Sequence, residues 1–190
     1  MTRSYDMTRR SRRAAQTAKR IVTAAEELLA DGPPGDITLQ AIAEGAGVTV
    51  QTVLRHFGSR DGCIEAVGER VRERIDEQRG GASPGDIDSA LSELLNHYEL
   101  EGRLVLNLIA HEEKESMIGK AVEKGRNYHR QWVERCFGPL LSAPTQQTID
   151  ALVAATDIYL WKLLRIDLGR SQKATRAVIE RLVQAGLEEK

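Results

Sequence analysis

The sequence predicts an all-α protein with a small N-terminal domain of three helices, a larger helical domain and about nine helices in total. Apolar residues recur every three or four positions along most of the 190 residues, the spacing of amphipathic helices. Glycine, proline and small polar residues interrupt these segments where helices would end. No convincing alternation of apolar and polar residues indicates a strand, so the helical class is favoured.

The N-terminal third of the chain, residues 1–62, divides into an arm and a compact domain. Residues 1–16 are polar and basic and are expected to form a mobile N-terminal arm. Residues 17–62 form the small domain, whose first helix is predicted over Thr17–Ala30 and ends at "DGPPGD". Thr38 and Thr49 are suitable N-caps for the second and third helices, because a threonine hydroxyl accepts from exposed backbone N–H groups. Gly47 suits the left-handed turn between them.

The remaining residues, 63–190, form the larger domain. A fourth helix is capped by Ser59 and runs to about Arg79, before the linker "GGASPGD". Five further helical stretches follow, at Ile87–Leu100, Arg103–His111, Ser116–Leu141, Thr145–Leu168 and Ser171–Leu187.

The charge distribution and the lack of special segments narrow the class of protein. The net charge is −1, yet residues 1–60 hold nine of the 27 Lys and Arg against six of the 28 Asp and Glu. This asymmetry indicates nucleic acid or an acidic membrane surface as a partner of the N-terminal part. The apolar stretch "RLVLNLIAH" is too short to span a membrane, and no apolar core follows the basic N-terminus. We therefore expect a cytoplasmic protein without a membrane partner.

The sequence contains no pattern that indicates a metal site or redox chemistry. Cys63 and Cys136 have no CxxC or Cys/His spacing, so neither a disulfide framework nor a zinc site is expected. His111 precedes Glu112 and Glu113, but adjacent residues on a helix diverge. No metal and no cofactor are predicted. Nucleophile elbows, phosphate loops and metal-ligand pairs at i,i+4 are also missing, which argues against an enzyme.

The stretch "VTVQTVLRHFGSRDG", residues 48–62, raises the question of function. Two short helices around a turn that contains glycine fit a helix-turn-helix, whose second helix enters the DNA major groove. That helix would be held to the core by Val50, Val53, Leu54 and Phe57. Gln51, Thr52 and Arg55 would then face outward. These side chains can pair with adenine, a thymine methyl and guanine or phosphate, respectively. From spacing alone, an ordinary solvated helix face remains an alternative.

The longer segment "TLQAIAEGAGVTVQTVLRHFGSRDG" resembles the DNA-binding region of the TetR family of transcriptional regulators. It shares the T-x-x-x-I-A-x-x-A-G-V start, the pair of Ser/Thr positions, the H-F pair and a serine followed by a basic and an acidic residue. It departs from the family at Leu54, where tyrosine is frequent, at Gln51, where glycine or proline is common, and at Cys63, where leucine is usual. The resemblance implies a non-enzymatic, sequence-specific DNA-binding protein.

The resemblance also implies a role for each matched polar residue. Thr38 and Thr49 would contact phosphates, His56 would approach the DNA backbone and Arg60 would bind a phosphate. The major groove would receive Gln51, Thr52 and Arg55. Two alternatives stay open: His56 could instead be a packing neighbour of Phe57, and the basic arm either reaches an adjacent minor groove or phosphates or is a solubilising tail.

For the larger domain, the resemblance implies a ligand-binding and dimerisation core. The segment "IDALVAATDIYLWKLLRIDLG" is apolar nearly all round, so it needs burial on two sides. Pairing of the last two helical stretches with a second copy would form a homodimer that reads a palindromic operator. The alternative is a central helix inside a monomeric bundle.

A small-molecule site is harder to locate in the sequence. Such sites are mostly apolar with a few polar anchors, and aromatic and polar side chains that fit this description occur after the linker. The candidates are His97, Asn107, His111, Tyr128, Trp132 and Trp161, with Tyr98, His129 and Tyr159 in the same set. Aromatic residues at helical spacing are also common in ordinary cores, which remains the alternative for each.

Together these features predict a transcriptional regulator, a repressor that a small, mostly apolar ligand releases from its operator. Two alternatives remain. The protein binds DNA without a small-molecule effector, or it is a helical small-molecule-binding protein or enzyme whose helix-turn-helix no longer regulates transcription.

Overall fold

The computed structural model describes residues 2–188, with side chains from Arg10 onward. Throughout that range the regular elements are helical, so the predicted all-α class is confirmed and the count of about nine is close. The helices are α1 (Thr2–Asp31), α2 (Leu39–Ala46), α3 (Val50–Phe57), α4 (Arg60–Gly80), α5 (Ile87–Ala110), α6 (Ser116–Phe137), α7 (Gln146–Ala155), α8 (Ile158–Lys162) and α9 (Gln172–Leu187).

The chain divides into two compact units, Met1–Arg72 and Glu73–Lys190. Helix α4 begins in the first unit and ends in the second. Within the described residues, no helix combines the length and the apolar character needed to cross a membrane.

Helix α1 is longer than the sequence analysis predicted. It begins at Thr2 rather than Thr17, so the segment expected to be a mobile arm is helical. Its residues 10–16, RSRRAAQ, lack glycine and proline and consist mostly of strong helix formers, which explains helix formation on an exposed segment. The hydrophobic pattern marks only the part of the helix that is buried, from Ile21 onward.

The caps and turns predicted around α2 and α3 are confirmed. The hydroxyl of Thr38 accepts from the backbone N of Ala41 at 3.0 Å, and that of Thr49 accepts from Thr52 N at 3.3 Å. Gly47 has φ 62°, the left-handed conformation expected of it. Ser59 Oγ accepts from Gly62 N at 3.0 Å and so caps the start of α4.

The core of the first unit contains apolar residues from α1, α2 and α3. A Cβ on Gly45 would lie 3.1 Å from Ala24 Cβ, which shows how closely α2 approaches α1. Of the four apolar α3 residues predicted to face the core, only Val53 is fully buried; Val50, Leu54 and Phe57 are half-buried. The buried members from these helices are Ile21, Val22, Ala24, Ala25, Leu29, Ile42, Ala43, Ala46 and Val53, and α4 adds Cys63, Ile64, Val67 and Val71.

In the second unit, α5 is one continuous helix where two were predicted. The predicted break fell at Glu101 and Gly102, and both residues lie inside the helix. Gly102 serves close packing instead: a Cβ there would come within 2.6 Å of two carbons of the Trp161 indole. Glycine in a helix interior was misread as a helix end because its packing partner is distant in sequence.

The predicted helices Ser116–Leu141 and Thr145–Leu168 are both interrupted. Helix α6 ends at Phe137, and a 3-10 turn over Gly138–Leu140 follows. The second stretch breaks at Thr156, whose carbonyl accepts from the Tyr98 hydroxyl at 2.9 Å. Asp157 then caps α8 by accepting from Tyr159 N at 2.8 Å, and a π-helical turn over Leu163–Asp167 completes the segment.

The second unit has one main hydrophobic core, to which α5, α6, α7, α8 and α9 all contribute. Helix α7 packs on α9, and α5 packs on α6, α8 and α9. The most buried large members are Leu91, Leu94, Leu95, Trp132, Val133, Phe137, Leu152, Trp161, Ile179 and Val183.

Candidate functional site

Helix α3 presents a polar outer face on a helix that Val53 anchors. Gln51 and Arg55 are exposed and lie one helical turn apart, so they share a face. Thr52 is half-buried beside them, and its hydroxyl lies 3.0 Å from that of Thr49. The three residues predicted to read bases therefore lie on one capped helix, Gln51 and Thr52 near its start and Arg55 in its last turn.

Thr38 and Thr49 occupy equivalent positions at the starts of two helices. Both are exposed N-caps whose oxygens accept from a backbone N–H. The Thr49 hydroxyl also shares a hydrogen bond of 3.0 Å with the hydroxyl of Thr52. Exposed helix N-termini attract anions through their free N–H groups and the helix dipole. The geometry suits the phosphate contacts that were predicted for both threonines.

Arg60 lies in a different setting from the one predicted. Its Nε donates to the carbonyl of Ile37 at 2.9 Å, and its Nη2 donates to the carbonyl of Pro34. Its Nη1 lies 3.1 Å from a carboxylate oxygen of Asp61. The guanidinium thus ties the start of α4 to the loop between α1 and α2, and a phosphate contact would compete with these bonds.

The other predicted backbone contacts remain open. His56 is half-buried, with its ring centroid 6.2 Å from that of Phe57 and tilted by 37°. The basic residues Arg10, Arg12 and Arg13 lie exposed on α1. Arg3 and Arg9 precede the first described side chain.

A buried polar cluster lies in the second unit around Arg79, in the last turn of α4. The Arg79 side chain is only 3% exposed. Its guanidinium carbon lies 4.3 Å from the centroid of the Trp132 ring and 5.4 Å from that of Tyr128. Nη2 lies 2.8 Å from Nδ1 of His129, while the buried Nε has no hydrogen-bond partner. Burial lowers the pKa of this guanidinium.

Hydrogen bonds extend the cluster to α7 and α5. Nε2 of His129 lies 3.2 Å from the hydroxyl of Thr156, and this hydroxyl donates to Leu152 O at 2.7 Å. The Tyr98 hydroxyl donates to the carbonyl of the same Thr156. Burial, reinforced by the Arg79 charge, lowers the pKa of His129 to about 3, so its imidazole is neutral near pH 7.

The backbone carbonyl of Arg79 accepts two side-chain hydrogen bonds. It accepts from Nε1 of Trp132 at 3.2 Å and from Nη2 of Arg135 at 2.9 Å. His97 is buried nearby with its Nδ1 3.1 Å from the Gln78 side-chain oxygen. Burial, followed by the charges of Arg79 and Arg74, lowers the pKa of His97 to about 3.

The structure brings together only some of the predicted ligand-binding residues. Tyr128 and Trp132 stack on Arg79, and His97 lies close enough to sense its charge. Trp161 packs on Tyr98, with ring centroids 5.9 Å apart, and donates from Nε1 to Glu99 at 3.1 Å. His97, Trp132 and Trp161 belong to the buried interior, in line with the core alternative, whereas Tyr128 is half-buried.

Asn107 and His111 form a separate local pair. Nδ1 of His111 lies 2.9 Å from the carbonyl of Asn107, one turn earlier on α5, and both residues are half-buried. Within the described residues no group of three or more His, Cys, Asp or Glu side chains could hold a metal ion.

The sequence pattern does not single out Arg79, which stands at the predicted end of a helix before two glycines. A basic residue in the last turn of a helix is normally an exposed partner of the helix dipole. Nothing local distinguishes Arg79 from that case, because its aromatic partners lie about 50 residues later in the chain.

The predicted dimer segments carry exposed apolar side chains. Val178 and Leu182 on α9 are 40% and 43% exposed. The segment over α8 and the following turn exposes Tyr159, Leu163, Ile166 and Leu168. Ala155, in the same predicted segment, is only 8% exposed and belongs to the core of its own chain.

Comparison with known proteins agrees with this geometry in the N-terminal domain. Residues 21–67 match the family described as bacterial regulatory proteins, tetR family. This range contains α2 and α3 completely, together with the buried half of α1 and the start of α4. No curated protein sequence matches the chain.

Solved structures share the fold over nearly the whole chain. A transcriptional regulator from Rhodococcus sp. Rha1 superposes with a TM-score of 0.72 at 14% identity, covering 90% of this chain and 96% of that one. A TetR transcription regulator from Haloarcula marismortui gives a TM-score of 0.69 at 15% identity, covering 90% and 98%. The multidrug binding protein EbrR complexed with imidazole gives 0.58 at 19% identity, covering 86% and 88%.

The sequence match of the N-terminal domain and the shared fold of the whole chain agree with each other. The chain thus carries the N-terminal domain of the TetR family of bacterial regulatory proteins and has the fold of TetR-family transcriptional regulators.

Proposed function

We propose that this protein is a sequence-specific transcriptional regulator that binds a palindromic DNA operator as a homodimer. The observation that carries the proposal is the outer face of α3, where exposed Gln51 and Arg55 lie beside Thr52 on a helix anchored by Val53. Glutamine and arginine make the bidentate contacts that distinguish adenine and guanine in the major groove. This face lies within the segment that matches the family.

The proposed division of labour follows the chain. DNA binding is assigned to residues 17–62, and ligand binding and dimerisation to residues 63–190. A protein that acts on chromosomal DNA works in the cytoplasm of a bacterial cell, which is where we place it. The helical stretch over residues 1–16 adds exposed positive charge at Arg10, Arg12 and Arg13, which favours phosphate contacts over a merely solubilising role.

Homodimerisation through the last two helical segments is supported by the exposed apolar side chains of α8, its following turn and α9. Val178 and Leu182 lie four residues apart and so form one ridge on α9. A two-fold dimer repeats the recognition helix, and such dimers bind half-sites about one helical turn apart.

Ligand control is supported by the buried polar cluster around Arg79 and by one structural neighbour that is a multidrug binding protein. We propose that the protein is a repressor and that a small molecule in the second unit releases it from DNA. Coupling of this kind ordinarily changes affinity by about 1–3 kcal/mol.

The proposal is tested by selection of bound DNA from a random pool with the full-length protein. The expected result is enrichment of a palindrome, which should then be found beside the gene of the protein itself. A matched pair of variants tests whether Gln51 contacts a base. Gln51→Ala should lose the enrichment at one position per half-site, whereas replacement of Gln131, an exposed residue of α6, by alanine should retain it. A pool without any enriched sequence would rule out sequence-specific binding.

A further inference from the structure

Arg79 combines burial with the lack of an acidic partner. Among the described residues it is the only buried arginine, and no carboxylate lies within ion-pair distance of it. Five less buried arginines of the same unit have such partners: Arg74 with Glu101, Arg126 with Glu112, Arg130 with Asp150, Arg165 with Glu99 and Arg176 with Asp88.

The groups that contact the Arg79 guanidinium are neutral. His129 presents Nδ1 to Nη2 of Arg79, so this nitrogen accepts and the imidazole proton resides on Nε2. Nε2 then faces the hydroxyl oxygen of Thr156, whose own hydrogen is donated to Leu152 O. Trp132 and Tyr128 contribute ring faces. A buried guanidinium is therefore stabilised by aromatic faces and one imidazole, without a counter-charge.

Such an arrangement is costly for the folded chain. A buried charge that lacks an opposite charge loses its hydration without a Coulombic return. The Nε–H is also buried without an acceptor, although guanidinium N–H groups are strong donors. Arg135 increases the local positive charge, because its Nη2 lies 2.9 Å from the carbonyl of Arg79.

We propose that Arg79 is the anchor for a small organic acid, a ligand with a carboxylate on an apolar, flat or flexible body. The carboxylate accepts from Nε and supplies the missing negative charge, and arginine is the side chain whose planar fork matches a carboxylate. The rings of Tyr128 and Trp132 pack against the apolar body. This inference rests on the proposed ligand control and narrows its effector from a mostly apolar molecule to an acid.

The position of Arg79 links the ligand to the rest of the chain. The residue lies in the last turn of α4, the helix whose first residues belong to the DNA-binding unit. A carboxylate that draws the guanidinium away from His129 acts on α4 directly. Release from DNA would then follow from a change in this helix.

The experiment compares acids with their neutral amides on the full-length protein. Thermal unfolding is measured with octanoate, decanoate, benzoate and phenylacetate, and with the amide of each. We expect at least one acid to raise the melting temperature of the wild type while its amide does not. In Arg79→Met the binding constant for that acid should fall at least tenfold by calorimetry, and in the control Arg126→Met it should be unchanged.

Two results would overturn the inference. One is that no acid raises the melting temperature of the wild type more than that of Arg79→Met; the other is that amides stabilise as well as acids. If Arg79→Met does not fold, Arg79→Lys replaces it: lysine keeps the charge but not the fork, and unchanged acid binding would contradict the anchor role. DNA binding by the wild type is measured in parallel, so that failure of acid binding is distinguished from failure of the proposed regulator function.

Discussion

Gly102 in α5 lies directly against the indole of Trp161 in α8: a Cβ on this glycine would come within 2.6 Å of two ring carbons. Gly102→Ala should therefore destabilise the protein by about 1–3 kcal/mol, because the ring must move within a packed core. Chemical denaturation measures the loss. The matched control is Gly125→Ala on α6, where a Cβ meets nothing within 4 Å and should stabilise by up to about 1 kcal/mol. Equal effects of the two changes would contradict this packing.

Arg60 is expected to contribute to stability as well as to DNA affinity. Arg60→Ala removes the donors to the carbonyls of Ile37 and Pro34 and should cost about 1–3 kcal/mol of unfolding free energy. The exposed Arg55 serves as the control, since Arg55→Ala should weaken DNA binding with little change in the melting temperature. If Arg60→Ala leaves stability intact but lowers the salt dependence of binding by about one counterion, the phosphate role predicted from the sequence is the correct one.

Gln51 should set the preference for one base pair in each half-site. Replacement by alanine should cost about 1–3 kcal/mol at the preferred sequence and remove discrimination at that position. Competition binding against all four bases measures the effect. An unchanged preference would remove Gln51 from base recognition.

The dimer interface can be tested with side chains that are exposed in the single chain. Val178→Glu and Leu182→Glu should each give folded monomers by light scattering and circular dichroism, because a carboxylate would be buried without a partner between two copies. Gln131→Glu on α6 should remain dimeric. Ala155→Glu should instead unfold the chain, since Ala155 belongs to the core. Intact dimers for both α9 variants would move the interface away from this helix.

Buried histidines should make the protein sensitive to mild acid. His97 and His129 have folded pKa values of about 3, well below the ordinary value near 6.5. Below about pH 6.5 these histidines therefore bind protons in the unfolded chain but remain neutral in the folded chain. The free energy of unfolding consequently falls as the pH drops from about 6.5 toward 3. The slope contributed by each histidine approaches about 1.4 kcal/mol per pH unit once the pH is well below 6.5.

The window from pH 6.5 to 5 emphasises this effect, because a carboxyl group whose pKa is lowered on folding, such as Glu99 beside Arg165, costs stability mainly as the pH falls below its ordinary value near 4.5. Denaturant titrations across the window should show the decline, and His129→Gln should show a shallower one. A free energy of unfolding that stays flat from pH 7 to 5 would contradict the burial of two neutral histidines.

The local features of the DNA-binding domain could be predicted from the sequence. The caps by Thr38, Thr49 and Ser59 and the left-handed turn at Gly47 depend on atoms within a few residues of one another. A short segment specifies such features independently of the rest of the fold, because the accepting side-chain oxygen and the donating backbone N–H lie in the same helical turn. The outward direction of Gln51 and Arg55 follows equally from helical periodicity.

Only the tertiary structure decided the features that depend on distant partners. Gly102 reads locally as a helix end, yet Trp161 makes it a packing position inside α5. The bonds that Arg60 donates to the carbonyls of Pro34 and Ile37 depend on a loop more than 20 residues earlier in the chain. Arg79 resembles an exposed helix terminus, but His129 and Trp132 enclose it in the second unit. Periodicity states which side of a helix is apolar, whereas the burial of a single polar group depends on which residues, 20 to 60 positions away, the fold places beside it.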